Sequence, residues 1–216
     1  MANESVKSLS SRAAWERLYA KHGLQYGGRG EVAMLLRAVR PGSLVLDAGC
    51  GDGKTTEELS KHYQVVACDF SREALVSFRS QRPSIATSLE LVECDMTHLP
   101  FVSEKFDAVA CVHSLSHMLA ENRSKAATEM AGVLRRGGFV FVEVFGRGDI
   151  RFGEGDELEP GTYRRGNGII THYFRLGEVP SLFAGFRCIA EVCDRRHVSF
   201  GVVSGKRELI RVLLRK

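Results

Sequence analysis

The stretch Val45-Leu46-Asp47-Ala48-Gly49-Cys50-Gly51-Asp52-Gly53 holds the densest chemistry in this chain. An apolar run ends in three glycines at alternate positions, so a buried strand must turn sharply there and pass its backbone close to a ligand. The free N–H groups of the following helix would face that ligand. In a dinucleotide site this turn reads G-x-G-x-x-G and holds a pyrophosphate; here it reads G-x-G-x-G with Asp47 two residues ahead. A carboxylate there repels a pyrophosphate and suits a ligand that carries an ammonium group and a ribose. Asp52 adds a second negative charge.

Two further acids stand where the next strands should end. Asp69 is placed to accept hydrogen bonds from both ribose hydroxyls, and Phe70 beside it to lie against a purine. Asp95, in Cys94-Asp95-Met96, is placed to accept from an adenine amino group, with Met96 packed on the ring. Each acid alone also reads as an N-cap or a turn residue. Three at successive strand ends, on the edge where such sheets bind ligands, point to one nucleotide-like cofactor. His113 and His117 stand four apart with no third ligand at suitable spacing, so no metal is expected. Either imidazole is able to take a proton near pH 7; His113, expected to line the cleft, is the candidate catalytic residue, and His117 is expected on a helix surface or in packing.

The elements that must position these residues follow from periodicity. Trp15, Leu18, Tyr19 and His22 at i, i+3, i+4 and i+7 give a short amino-terminal helix one apolar stripe. A glycine-rich link, Gly23 to Gly30, follows it, so Trp15 and Tyr19 read equally as core and as a lid over the strand-end cleft. A second helix is expected from about Glu31 to Val39, stopped by Pro41-Gly42. Strand and helix then alternate: strands at about 43–48, 65–68, 89–94, 106–112 and 139–144, a helix capped by Ser71, and a long helix at about 123–134. Thr55, Glu57, Glu58 and Lys61 mark the polar side of the helix after the first strand. This alternation implies an α/β fold with a mostly parallel sheet covered on both faces.

Beyond Phe145 the regularity ends. Residues 146–168 hold seven glycines and read as an irregular excursion, with a hairpin turning at Asn167-Gly168. A helix is expected over Val179 to Phe183, and two strands at about 187–194 and 208–214, joined too closely for a crossover and therefore antiparallel. The organisation expected is one domain, 1–216: a helical cap at 1–42, a cofactor-binding core at 43–145, and a substrate-side excursion with a terminal hairpin at 146–216.

Composition sets the outer limits. At 216 residues and 44% hydrophobic, the chain has ample core for one domain. No stretch is apolar enough to span a bilayer and the first ten residues lack a signal-peptide core, so a cytoplasmic protein without membrane contact is expected. The six cysteines form no C-x-x-C pair and read as buried free thiols. The net charge of +4 is uneven: residues 1–134 hold 15 basic and 16 acidic side chains, residues 135–216 hold 15 and 10. That imbalance allows an anionic partner without demanding one.

Taken in order, VLDAGCGDG, VVACDF, VECDMTHLPF, KFDAVACVHSLSHM and VLRRGGFVFVEV resemble the successive motifs of the class I S-adenosylmethionine-dependent methyltransferases. The resemblance covers about residues 40–146. It implies a Rossmann-like sheet of seven strands, mostly parallel with the last strand antiparallel, and S-adenosylmethionine as cofactor. Position by position it implies that Asp47, Gly49, Cys50, Gly51 and Gly53 hold the amino acid end, Asp69 the ribose, and Phe70, Asp95 and Met96 the adenine. Val112 and His113 would pass beside the methionine part, with Tyr19 as a further contact. WERLYAKH near the start, RRGNGIITHYFRLGEVPSLFAGF, CDRRHVSFG and RELIRVLLRK also resemble the methyltransferase-like enzymes that make 3-methylcytidine in tRNA.

The function expected is methyl transfer, with a tRNA base nitrogen as acceptor. A small-molecule methyltransferase with the same cofactor site, or a non-catalytic cofactor-binding subunit that regulates a protein partner, are the alternatives. Arg164, Arg165, Arg195 and Arg196 are candidate phosphate contacts, or else solvated charge. A nicotinamide oxidoreductase ranks low, because Asp47 precedes the glycines and the chain ends in an antiparallel pair.

Overall fold

The computed structural model describes the backbone of residues 2–22, 32–200 and 203–216, and the side chains of 11–21, 32–199 and 204–216. The expected link at 23–30, the Glu31 start of the second helix and the side chain of His22 lie outside the described residues. The chain begins with α1 (Ala2–His22), α2 (Ala33–Ala38), β1 (Leu44–Ala48), α3 (Lys54–Leu59), β2 (Gln64–Asp69), α4 (Arg72–Gln81), α5 (Pro83–Ala86) and β3 (Glu90–Glu93). It continues with β4 (Phe106–Val112), α6 (Ala120–Val133), β5 (Leu134–Phe145), β6 (Asp156–Glu159), β7 (Thr162–Arg164), β8 (Ile170–His172), α7 (Glu178–Leu182), β9 (Arg187–Phe200) and β10 (Val203–Arg215).

Seven strands form one sheet in the order β3-β2-β1-β4-β5-β10-β9. Neighbours from β3 to β5 are parallel, and β10 runs antiparallel to both β5 and β9. This is the mostly parallel seven-stranded sheet with a reversed last strand that the motifs imply. Chain order runs outward from β1 to β3 and then resumes on the other side with β4. Such a reversal opens a crevice beyond the carboxyl ends of the strands.

Alternation along the strands sorts the core onto two faces. On β1 and β4, Leu46, Ala48, Val109 and Cys111 point to one side, where α6 supplies Ala126, Ala127 and Met130, α7 supplies Val179, and Phe183 follows just after it. Val45, Ala108 and Ala110 point to the other, against Leu35 of α2, Leu59 of α3, and Leu75 and Phe78 of α4. Ser71 caps α4 as expected, its hydroxyl accepting from the Ala74 N–H at 3.1 Å. Thr55, expected on the polar side of α3, is buried instead, since α3 turns that residue toward the strand-end crevice. Pro180 is tolerated because it lies in the first turn of α7, where its missing N–H has no helical partner.

A second sheet of three antiparallel strands, β6-β7-β8, occupies the excursion and includes the hairpin expected there. Glu159 fastens it to the core: its carboxylate accepts from the Ala120 N–H at 2.9 Å and from Arg123 at 2.9 Å. Strands β9 and β10 run further than expected. Their pairing with the main sheet ends where Leu209 meets Phe145, yet the two continue as a ribbon as far as Phe200 and Val203. Among the cysteines, Cys50, Cys68 and Cys111 are buried; Cys94 and Cys193 are half-buried and Cys188 is exposed, which corrects the expectation for these three.

Candidate active site

A cavity of about 710 Å³ opens where the sheet order reverses. Its first wall is the turn after β1. Gly49 and Gly51 have φ of +77° and +55°, a region that favours glycine. A Cβ on Gly49 would lie 2.1 Å from Ser114 Oγ, and one on Gly51 2.5 Å from the Tyr19 hydroxyl. The backbone is thus a cradle that a side chain would fill. It is pinned from behind, with the Gly49 and Cys50 N–H groups both donating to the Cys68 carbonyl, at 2.8 and 2.9 Å.

Asp69 joins the first two strand ends: its carboxylate accepts from the Gly51 N–H at 2.8 Å and from the Ser71 N–H at 2.9 Å. Burial raises its pKa to about 6 against those two bonds. Asp95 accepts from the Thr97 N–H and hydroxyl, both at 2.8 Å. Cys50, Asp69, Phe70, Asp95, Met96, Val112 and His113 all line the cavity, as does Tyr19 of α1. Trp15 and Tyr19 are both buried and both line the cavity. Glu16 holds that helix in place, accepting from the Ser71 hydroxyl at 3.0 Å and from the Arg72 and Glu73 N–H groups at 3.1 Å each.

Two expected contacts stand behind this wall. Asp47 does not line the cavity; it is buried and accepts from the Thr56 hydroxyl at 2.6 Å, because alternation along β1 turns it toward α3. Burial pushes its carboxyl up to about 7, the Thr56 bond opposing and the Asp69 charge adding to the rise. Gly53 starts α3 and lies against the Phe78 ring, where a Cβ would come within 2.6 Å.

The opposite wall comes from β4, β5, β10 and the second sheet. His113 has φ of +65° and stacks on Phe145, with ring centroids 4.6 Å apart and planes 3° apart. Its Nε2 lies 3.2 Å from Glu143, a buried carboxylate that Arg211 also holds. Burial first, then the neighbouring His117 imidazole and the cationic Arg207, Lys54 and Arg151, hold His113 well below the ordinary imidazole value, so it is neutral near pH 7. His117 is not helix surface. The 3₁₀ turn Ser114–His117 swings it into the cavity, edge-on to Trp15 at 4.8 Å, its Nδ1 donating to the Ile170 carbonyl at 2.8 Å. Burial brings its pKa to about 4.

Sequence reasoning missed Glu143, Arg151 and Arg207. The available signal was charge inside apolar strands: Glu143 in VFVEVF and Arg211 in LIRVLL stand directly opposite each other across β5 and β10. Arg165 and Arg196, considered for phosphate contact, do line this wall, whereas Arg164 and Arg195 do not. Among the described residues no group of three or more His, Cys, Asp or Glu side chains is placed to hold a metal ion.

Residues 46–142 match the family model described as a methyltransferase domain. The fold, its strand-end crevice and this match give residues 46–142 a methyltransferase domain of the kind that uses S-adenosylmethionine. The glycine cradle and the carboxylates facing it fit such a group. The chain is 28% identical over 166 residues to mouse tRNA N(3)-cytidine methyltransferase METTL2, covering 70% of this chain and 43% of that protein. It is 34% identical over 116 residues to tRNA (carboxymethyluridine(34)-5-O)-methyltransferase of Arabidopsis thaliana, covering 53% and 27%. It thus spans less than half of either relative. A solved S-adenosylmethionine-dependent methyltransferase from Methanosarcina mazei shares the fold with a TM-score of 0.69 at 21% identity, over 85% of this chain and 96% of the other.

Proposed function

We propose that this domain transfers a methyl group from S-adenosylmethionine to a nitrogen of a tRNA base. The observation that carries this reading is the polarity of the cavity. Asp52, Asp69 and Asp95, from the turns after β1, β2 and β3, line one side, and a neutral imidazole with a stacked aromatic ring lines the other. Similarity to two curated tRNA methyltransferases of different acceptor atoms supports tRNA more strongly than it supports any one atom.

In this reading Gly49, Cys50 and Gly51 cradle the amino acid end of the cofactor, with Asp52 supplying negative charge beside its ammonium. Asp69 accepts from the ribose hydroxyls, and Phe70, Asp95 and Met96 bind the adenine. The bound cofactor supplies a methyl group already activated by a sulfonium, so the chain's own residues have mainly to align an acceptor and exclude water. Val112 and His113 border the reacting end, and Trp15 and Tyr19 close it. His113, neutral and fixed by Glu143 and Phe145, offers a hydrogen-bond acceptor rather than a strong base. Residues 1–42 then act as cap, 43–145 as cofactor core and 146–216 as the acceptor side. No helix among the described residues is long and apolar enough to cross a membrane; a cytoplasmic location goes with a tRNA acceptor.

The test is incubation of the protein with total tRNA from a strain lacking the gene and with methyl-labelled cofactor, followed by nucleoside analysis. One labelled N-methylated nucleoside is expected. Label in no RNA would overturn the tRNA reading; label in an extract of small metabolites would then favour the small-molecule alternative, and cofactor binding without any transfer the regulatory one.

A further inference from the structure

We propose that Arg165, Arg196 and Arg207 form a subsite for a phosphate group carried by the methyl acceptor, on the cavity wall facing away from Asp69. This rests on the methyl-transfer reading and adds to it the chemical class of the acceptor.

Arg196 of β9 and Arg207 of β10 stand directly opposite each other, and both line the cavity. Like charges at directly opposed positions destabilise an antiparallel pair. An anion lying between them would turn this repulsion into two attractions. Arg207 also reaches Asp149 at 2.8 Å, and Arg151 reaches the same carboxylate at 3.6 Å, so two guanidiniums share one acid. Both lie over the Phe145 ring, at 5.2 and 5.6 Å from its centroid, which fixes their planes beside the stacked His113.

Arg165 approaches from the turn between β7 and β8. It lines the same wall, and its buried Nε has no hydrogen-bond partner. Among the described residues neither Arg165 nor Arg196 makes an ion pair. Glu143, the other acid on this wall, is already held by Arg211 and His113. Arg151, Arg165, Arg196 and Arg207 therefore all line this side of the cavity, two of them sharing the Asp149 carboxylate behind it. Planar guanidinium forks match phosphate oxygens in geometry as well as charge. The ribbon past Leu209 carries His197 and Lys206 outward beyond the Arg195–Glu208 ion pair, a surface suited to neighbouring phosphates of a polynucleotide.

The experiment compares binding of the four nucleoside 5′-monophosphates with that of the matching nucleosides by calorimetry, on protein saturated with S-adenosylhomocysteine. The phosphate should raise affinity by about tenfold or more for at least one base, as expected for charge-assisted hydrogen bonds. In the Arg165→Gln/Arg196→Gln double variant this advantage should shrink to about threefold or less. Unchanged S-adenosylhomocysteine affinity in that variant verifies its folding. Monophosphates binding no better than nucleosides, or an advantage that survives the double variant, overturns the subsite. The comparison needs no turnover, so a phosphate preference without methylated RNA would sustain the subsite while overturning the tRNA reading in favour of a small phosphorylated acceptor. A tRNA KM raised about tenfold in the double variant assigns the phosphate to RNA; tRNA methylation with an unchanged KM overturns the subsite alone.

Discussion

The two walls of the cavity are built from different materials. The wall at β1, β2 and β3 is mostly backbone: two left-handed glycines, N–H groups pinned to Cys68, and carboxylates bonded to amides within the same or the adjoining turn. The wall at β4, β5 and β10 is mostly side chain, with Glu143 tied to Arg211 and His113, and Asp149 to Arg151 and Arg207. Backbone cradles tolerate almost no added atom but are indifferent to charge. Side-chain networks tolerate changes of shape and fail when one partner is lost. A site that keeps one cofactor while related domains take different acceptors is well served by this division.

The contrast sets the expected effect of each substitution. Arg211→Met leaves the buried Glu143 without its main partner and should cost about 3 kcal/mol or more of stability in urea unfolding, with much of it restored by adding Glu143→Met. A cost under about 0.5 kcal/mol would place this pair with ordinary surface ion pairs. Gly49→Ala adds both backbone strain of about 1–3 kcal/mol and a clash with Ser114, so S-adenosylhomocysteine affinity should fall by about tenfold to a hundredfold in calorimetry. Normal affinity would show that the turn is not the cradle. Asp69→Ala should weaken the same ligand by at least about 1 kcal/mol, and an unchanged constant would put the ribose elsewhere. The smallest effect is one of pH. Since burial raises Asp69 to about 6, acidification through that value converts an acceptor into a donor, and affinity at pH 5.5 should be about fourfold below that at pH 7.5. The Asp69→Asn variant should lose this dependence.

Legibility in the sequence follows the same division. The backbone wall is drawn from short motifs at successive strand ends, so glycine spacing and strand-end acids disclose it. Asp47 belongs to that motif yet faces Thr56, which the two-residue period of β1 anticipates and the motif alone does not. The side-chain wall depends on residues distant in the chain, as Glu143 with Arg211 and Asp149 with Arg207, and only the folded sheet brings them together. The outer ribbon of β9 and β10 and the strand β6 escaped notice for another reason. Their residues are mostly polar, so no sustained apolar alternation marks them as strands. His117 was hidden by the short 3₁₀ turn that reverses its direction.

Glu16 has a further consequence, in time rather than in space. One carboxylate of α1 gathers three donors at the start of α4, and the Tyr19 hydroxyl, one turn further along, lies over Gly51. If this helix must lift for a molecule to leave the cavity beside Tyr19, its three bonds through Glu16 must break first. The residence time of a bound molecule would then be set in part by a side chain outside the cavity wall, and Glu16→Gln should shorten that of S-adenosylhomocysteine in stopped-flow release.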